Sequence, residues 1–490
     1  NLIISKATQE AQRNVFYGCK NLTTLEIPFV GKQRGIDVGS SNSNKNNYGY
    51  YSDGNDYWWE DLAVRNSMVW LFAPMGSYGQ EVDGYYEHCY ISGSWRYSSY
   101  SASIPNSLST ITITNDSAIP SYAFRAFTKL NTIEIQDTIV SDNKGLVLID
   151  GGCMTGCSSL NTLVVPFIGA DYNNNSQNNY THTIGWYFGT TAYSNSYVAS
   201  QSGYVYYIPK SLTRINITGL ISSIPAYAFA NMTSLSSVAI PNATITTIGD
   251  YSFYCDNNLT TINWPKAQFN NVANYAFANC DSFTTVTIPA TVTTLGEFVF
   301  SSCAKLISAN LENNTLSDGL FAECEAFTSC YINPEITAIG AYAFYGMTKI
   351  ATFVIPDNIT SMGEGVMSGW THLENITLPF IGESTSATGI NGVFGYMFGK
   401  AVVDGIEATN QPFQYNGSYS WTKYQNFYIP KTIKTVTMSN KLTRIPEFAF
   451  ASCSFITTYN FPTKTNFIIE TYALAKNTQL ITLVIPNNCV

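Results

Sequence analysis

A chain of 490 residues that is 45% hydrophobic can bury a large core, which excludes a disordered protein. Its formal charge of −9, with 12% charged residues and no Lys/Arg cluster, argues against nucleic acid as a partner. No run of about 18 apolar residues occurs, so no membrane-spanning helix is expected.

In chain order, a first turn around Asn14–Cys19 leads into a strand in which Leu22, Leu25 and Ile27 alternate with polar residues. Pro28 ends that strand within PFVG, and Lys32–Ser103 then interrupts the pattern. The phrase IPNSLSTITIT resumes it at Ile104, followed by a turn anchored on Phe124 and a strand holding Leu130, Ile133 and Ile135. CMTGC surrounds Met154, and LNTLVVPFIG (Leu160–Gly169) opens a second interruption, Ala170–Tyr207, closed by IPKSLTRINIT from Ile208. A regular array follows, with anchoring Phe at 229, 253, 277, 300, 321 and 344, at gaps of 24, 24, 23, 21 and 23 residues. After Met367, LENITLPFIG (Leu373–Gly382) opens a third interruption, Glu383–Tyr428, and IPKTIKTVTMS from Ile429 closes it. Copies centred on Phe450 and Leu474 remain, and LITLVIPNNCV (Leu480–Val490) reads as an ordinary strand.

One unit this short cannot bury its apolar face, but stacked copies can. The expected fold is a β-rich solenoid over residues 1–490: a parallel sheet of fifteen strands on one face, short turns or 3-10 segments, and three loop-rich insertions. Because the chain opens on Asn1 with no apolar leader and closes on that strand, it reads as a piece of a longer protein.

The units share the pattern L-x-x-[IVL]-x-[IVL]-P, then [IV]-x-x-I-[GP]-x-[YF]-A-F-x-x-C-x-x-L, as in IGAYAFYGMTKIATFVIP (Ile339–Pro356). This pattern resembles the BspA-like leucine-rich repeats, over nearly the whole chain outside the insertions. The first turn lacks the Tyr-Ala pair, and Asn477 replaces the Cys of the last one. The resemblance implies a secreted or surface-exposed protein that attaches to host proteins, other microbes or glycans.

The insertions share an aromatic-x-Phe-[Gly/Ala] element, at Trp70–Ala73, Trp186–Gly189 and Tyr396–Gly399. PF[VI]G therefore reads as the exit of a composite unit and IP-x-[ST]-[LI] as its re-entry. The recurring Trp70, Trp186, Phe72, Phe188 and Phe398 are expected to pack small cores within the insertions. The insertions hold 23 of the 34 Tyr and six of the eight Trp, which makes their non-recurring rings candidate ligand contacts. Those candidates are Trp58, Trp59, Tyr85, Tyr86, Trp95, Tyr419 and Trp421, with Tyr331 on the concave strand face. That face, carrying strand positions three and five such as Thr24/Glu26 and Thr110/Thr112, is neutral and rich in hydroxyls.

Catalytic and metal chemistry find little support. Cys19, Cys157, Cys280, Cys303, Cys324 and Cys453 share one repeat position with Met232, Met347, Phe127 and Trp370, so they read as thiols packed in an apolar slot; Cys330 reads as a strand core residue. CMTGC has no second Cys/His pair to complete a zinc site. His88, His182 and His372 form no nucleophile–base–acid set, and Asp53, Asp56, Glu60 and Asp61 fit no EF-hand spacing. No enzyme activity, cofactor or metal is expected. The reading is an extracellular adhesin for a protein or glycan, with no membrane insertion; the alternative is a self-assembling surface-layer or filament subunit.

Overall fold

The computed structural model describes residues 1–11, 14–30, 48–52, 57–61, 68–74, 80–91, 94–136, 146, 148–171, 180–242, 244–263, 268–415 and 421–490. They divide into two compact units, residues 1–267 and 268–490.

Each unit is a stack of coils. In the first, eight strands from Leu2–Ile3 to Thr261–Asn263 form one parallel sheet; the second has parallel sheets of three and four strands. Every partner pair keeps the repeat register, so Thr110, Thr132, Thr162 and Arg214 lie in one row and Ile111, Ile133, Leu163 and Ile215 in the next. The alternation of half-buried and buried residues along these strands follows from the period of two. Across the stack, two-residue strands pair in the same parallel sense, for example Ala118–Ile119 with Leu148–Ile149 and Ala338–Ile339 with Ser361–Met362.

The described residues hold the expected fifteen long-sheet strands, but not the same fifteen. Leu2–Ile3 joins the first sheet, while 480–486 is not a strand. There Ile481 is 96% and Val484 75% exposed. The alternating pattern is present, but it forms no ladder with the preceding strand Thr458–Asn460.

The turns supply the other half of the core. Phe229 stacks on Phe253 at 4.8 Å and Phe277 on Phe300 at 5.4 Å, all with near-parallel rings. The Tyr of Tyr-Ala-Phe sits at positive φ in Tyr122, Tyr227, Tyr275 and Tyr342, as does Tyr251 of Tyr-Ser-Phe. Such a conformation is costly for an aromatic residue and persists only when its surroundings impose it. Ladder bonds from coil to coil do so, as in Phe229 N–H to the Ser252 carbonyl at 2.8 Å and Tyr227 N–H to the Asp250 carbonyl at 2.9 Å.

The repeat cysteines occupy a slot that is more specific than apolar. Cys157 donates to the Phe124 carbonyl at 3.0 Å, Cys303 to that of Phe277 at 3.3 Å and Cys324 to that of Phe300 at 3.1 Å. The Trp370 indole N–H reaches Phe344 O at 2.6 Å, and Asn477 Nδ2 reaches Phe450 O at 3.0 Å. Each therefore caps the anchoring Phe carbonyl of the preceding coil, which is why Asn substitutes for Cys. Cys19 departs from the expected burial: it is exposed. Cys330 is half-buried rather than a full core residue.

In the coil of Phe253 this slot holds Asp256, wholly buried. Its Oδ1 accepts the Met232 N–H at 2.8 Å and its Oδ2 has no partner. Burial pushes its pKa well above the usual carboxylate range. With the folded value raised over an unfolded one of about 3.9, Asp256 stabilises the fold below about pH 4, and that contribution is lost as pH rises through the folded value. Asp256→Asn keeps the acceptor and adds the donor that Asn477 provides. Thermal denaturation should show it more stable than the native protein by about 1–2 kcal/mol at pH 7.5, with the gain vanishing near pH 4. An unchanged transition at pH 7.5 would overturn this account.

Candidate functional site

Each composite unit is one coil whose turn and strand have been drawn apart. The aromatic-x-Phe element takes the ordinary turn position. In the second insertion Gly152 and Met154 donate to the Trp186 and Tyr187 carbonyls, while Ile184 donates to Ala228. In the third, Gly365 and Met367 donate to Tyr396 and Met397, and Phe394 donates to Ala449. In the first, Phe16 donates to Leu71 and Met68 to Ala123. The recurring Phe rings thus belong to the solenoid core, not to separate cores within the insertions. Phe72, Phe188 and Phe398 are fully buried, and Phe72 lies 5.7 Å from Phe16 and 6.4 Å from Phe127.

The connection back to the strand is an antiparallel hairpin in all three, where loops were expected. The hairpins pair Gln80–Ile91 with Ser94–Ile104, Ser196–Gln201 with Tyr204–Pro209, and Thr409–Tyr415 with Trp421–Phe427. Alternating Tyr, Val and Ser residues favour this extended pairing. The re-entry strands then pair with the strands that precede the exits: Thr24 opposite Thr110, Thr162 opposite Arg214, and Asn375 opposite Thr435.

A buried glutamine latches two of these hairpins to the stack. Gln201 Oε1 accepts the Gly185 N–H at 2.8 Å, and its Nε2 donates to the Ala230 carbonyl at 2.9 Å. Gln411 repeats this with the Gly395 N–H at 2.7 Å and the Ala451 carbonyl at 3.0 Å. Neither amide is exposed to solvent. A Cβ on Gly185 would overlap the Tyr206 ring and one on Gly395 the Phe427 ring, so the backbone reaches the amide only without a side chain. This pair of latches was missed in the sequence, although Gly and Gln stand sixteen residues apart in both insertions.

The candidate binding residues scatter. In the first insertion the hairpin widens to five strands by adding Tyr48–Ser52, Tyr57–Asp61 and Ala73–Pro74. Its register aligns Tyr50, Trp59, His88 and Tyr97 in one row and Tyr57, Tyr90 and Trp95 in another. Trp421 pairs with Tyr415 in the third hairpin, and Tyr419 lies outside the described residues, as do Asp53 and Asp56. Tyr331 is 57% exposed in the second unit, opposite Asn310.

Sequence reasoning passed over an aromatic recess in the first unit. Trp186, assigned to packing, is only half-buried there, and the recess it walls has a volume of about 340 Å³. Tyr122, Tyr180 and Tyr204, each 38–45% exposed, share it with Asp150.

Among the described residues no cluster of three or more His, Cys, Asp or Glu is arranged to hold a metal. Cys153 and Cys157 point their thiols at backbone carbonyls of Tyr187 and Phe124. Burial pushes the Cys157 thiol up to about 12, the opposite of a reactive thiolate. His182 is buried with its Nε2 3.7 Å from Asp171, and His372 contacts Thr371. No described helix is long and apolar enough to cross a membrane.

A model of the BspA type leucine rich repeat region matches residues 98–176, 201–318, 314–386 and 411–490. Among solved structures, a leucine-rich repeat protein from Bacteroides ovatus is similar at 18% identity, over 84% of this chain and 82% of that one, with a TM-score of 0.38. A leucine rich cell surface protein from Faecalibacterium prausnitzii is similar at 16% identity, over 86% and 96%, with a TM-score of 0.31. The pneumococcal vaccine antigen PcpA is similar at 11% identity, over 89% and 98%, with a TM-score of 0.28. No curated protein sequence matches. With the family model matching well over half of its residues, the chain belongs to the BspA type leucine-rich repeat family, a group of generally non-enzymatic repeat scaffolds.

Proposed function

We propose that this protein is a secreted or cell-surface adhesin that recognises an extracellular protein or glycan through its composite-unit hairpins and concave face. The observation that carries this reading is the buried glutamine latch at Gln201 and Gln411. It fixes aromatic-rich hairpins to a stacked frame, so little conformational entropy remains to be lost when a ligand docks. The exposed strand positions offer Thr, Ser and Asn hydroxyls and amides rather than titratable pairs, which suits recognition without turnover. The second reading is self-association, to which exposed apolar side chains such as Ile481 and Val484 would contribute contacts.

One experiment separates the two. The purified protein is passed over a panel of matrix proteins and glycans beside a variant with residues 83–101, the outer part of the first hairpin, replaced by a tight turn that keeps the buried Met68, Leu71 and Phe72 in place, its fold confirmed by circular dichroism. Saturable binding by the intact monomer, weakened at least tenfold in the variant, is the expected result. Concentration-dependent growth in sedimentation velocity with no ligand bound overturns the adhesin reading in favour of assembly.

A further inference from the structure

The aromatic recess in the first unit has the makings of a ligand subsite. Its central wall is the Trp186 indole, whose N–H is pinned to the Ile149 carbonyl at 2.9 Å. The six-membered edge of that ring lies against Gly151, where an added Cβ would come within 3.0 Å of it. Tyr180 packs at 5.8 Å and 60° to Trp186, and at 4.3 Å and 32° to Tyr204. The backbone beneath is held as well, since Tyr206 donates its hydroxyl to the Tyr180 carbonyl at 2.9 Å. Asp150 also lines the recess, oriented by Ser121 Oγ on Oδ2 at 2.6 Å and by the Gly151 N–H on Oδ1 at 2.8 Å. The exposed Thr190 adds a hydroxyl at the rim.

This combination selects a chemistry. Tyr180 and Tyr204 lie in contact with their rings inclined at 32° and form one sloping apolar platform against the Trp186 wall. Such a platform matches the C–H face of a pyranose ring, while a carboxylate with remaining lone pairs and the surrounding hydroxyls match its hydroxyl edge. Among the described residues that line the recess none is cationic, which disfavours sulfated and acidic sugars. Its volume admits one or two sugar rings.

We infer that the recess bounded by Trp186, Tyr180, Tyr204 and Asp150 binds a neutral hexose or N-acetylhexosamine unit of a glycan. The inference rests on the binding-scaffold reading and narrows it to one site and one ligand class.

Its test is calorimetric titration of the intact chain with methyl glycosides and with di- and trisaccharides of glucose, galactose, mannose and N-acetylglucosamine. Choline and a sulfated disaccharide run beside them. Saturable binding of at least one neutral sugar is expected. Tyr204→Ala, at an exposed hairpin position, should weaken it tenfold or more, and Asp150→Asn should weaken it less. Trp186→Phe, which keeps an aromatic wall, should retain part of the affinity. Absence of neutral-sugar binding, preference for choline or the sulfated sugar, or an affinity indifferent to Tyr204→Ala overturns the inference. The matrix-protein and glycan panel keeps the two proposals apart. Binding there that survives Tyr204→Ala leaves the scaffold reading standing and removes only this subsite.

Discussion

Gly169→Ala and Gly382→Ala should each destabilise the unit around them by about 3 kcal/mol or more, the largest effects expected of single methyl groups in this protein. Both are the last residue of PFIG, where the chain leaves the solenoid. Their φ values of +81° and +80° are the left-handed region that a Cβ disfavours. The space is closed as well. A Cβ on Gly169 would overlap the Thr181 carbonyl oxygen, and one on Gly382 that of Asn391. These are backbone atoms held in place, since Ala170 N–H donates to Thr181 and Glu383 N–H to Asn391, each at 2.8 Å. The methyl cannot rotate away, so the returning segment must move and its bonds with it. Gly203 (φ +80°) and Gly405 (φ +78°) are controls, with nothing within 4 Å of an added Cβ. Alanine there should cost only the conformational strain, about 1 kcal/mol. Thermal denaturation of the four variants checks this; equal losses at exit and control glycines would remove the close-approach argument.

Gln411→Leu and Gln201→Leu should release the hairpins that these amides latch, at a cost of about 2–5 kcal/mol. The replacement is close in size and apolar, so packing changes little while the polar balance fails. In Gln411→Leu the Gly395 N–H and the Ala451 carbonyl lose their partner in a site closed to water, and each orphaned group carries its own desolvation penalty. Hydrogen exchange read by mass spectrometry should show faster exchange across Thr409–Phe427 in Gln411→Leu and across Ser196–Pro209 in Gln201→Leu. The strands on either side should remain protected, because stack neighbours hold them independently. Unaltered exchange in the hairpins would show that the latch is dispensable and would weaken the preorganisation on which the proposed function depends.

The repeat and its composite units were legible in the chain because they rest on periodicity. Leu22, Leu25 and Ile27 recur at the same offsets wherever a strand forms, and stacking demands that identical positions face the same core. The exit PF[VI]G and re-entry IP-x-[ST]-[LI] were readable for the same reason, since both must meet a neighbouring coil in register.

What the sequence left open depended on contacts that periodicity does not encode. Cys157, Trp370 and Asn477 look unrelated as letters, and only the approach of the preceding Phe carbonyl shows them performing one hydrogen-bonding task. Trp186 and Phe188 stand two residues apart in a single motif, yet one is half-buried beside a recess and the other wholly inside the core. Local pattern determined, by itself, that this chain forms stacked coils and where each coil begins, because every unit repeats the same burial problem. Tertiary structure alone decided which aromatic rings face solvent, which amides become latches and where a ligand could sit. Those outcomes depend on distances between residues sixteen to several dozen positions apart, which no single repeat contains.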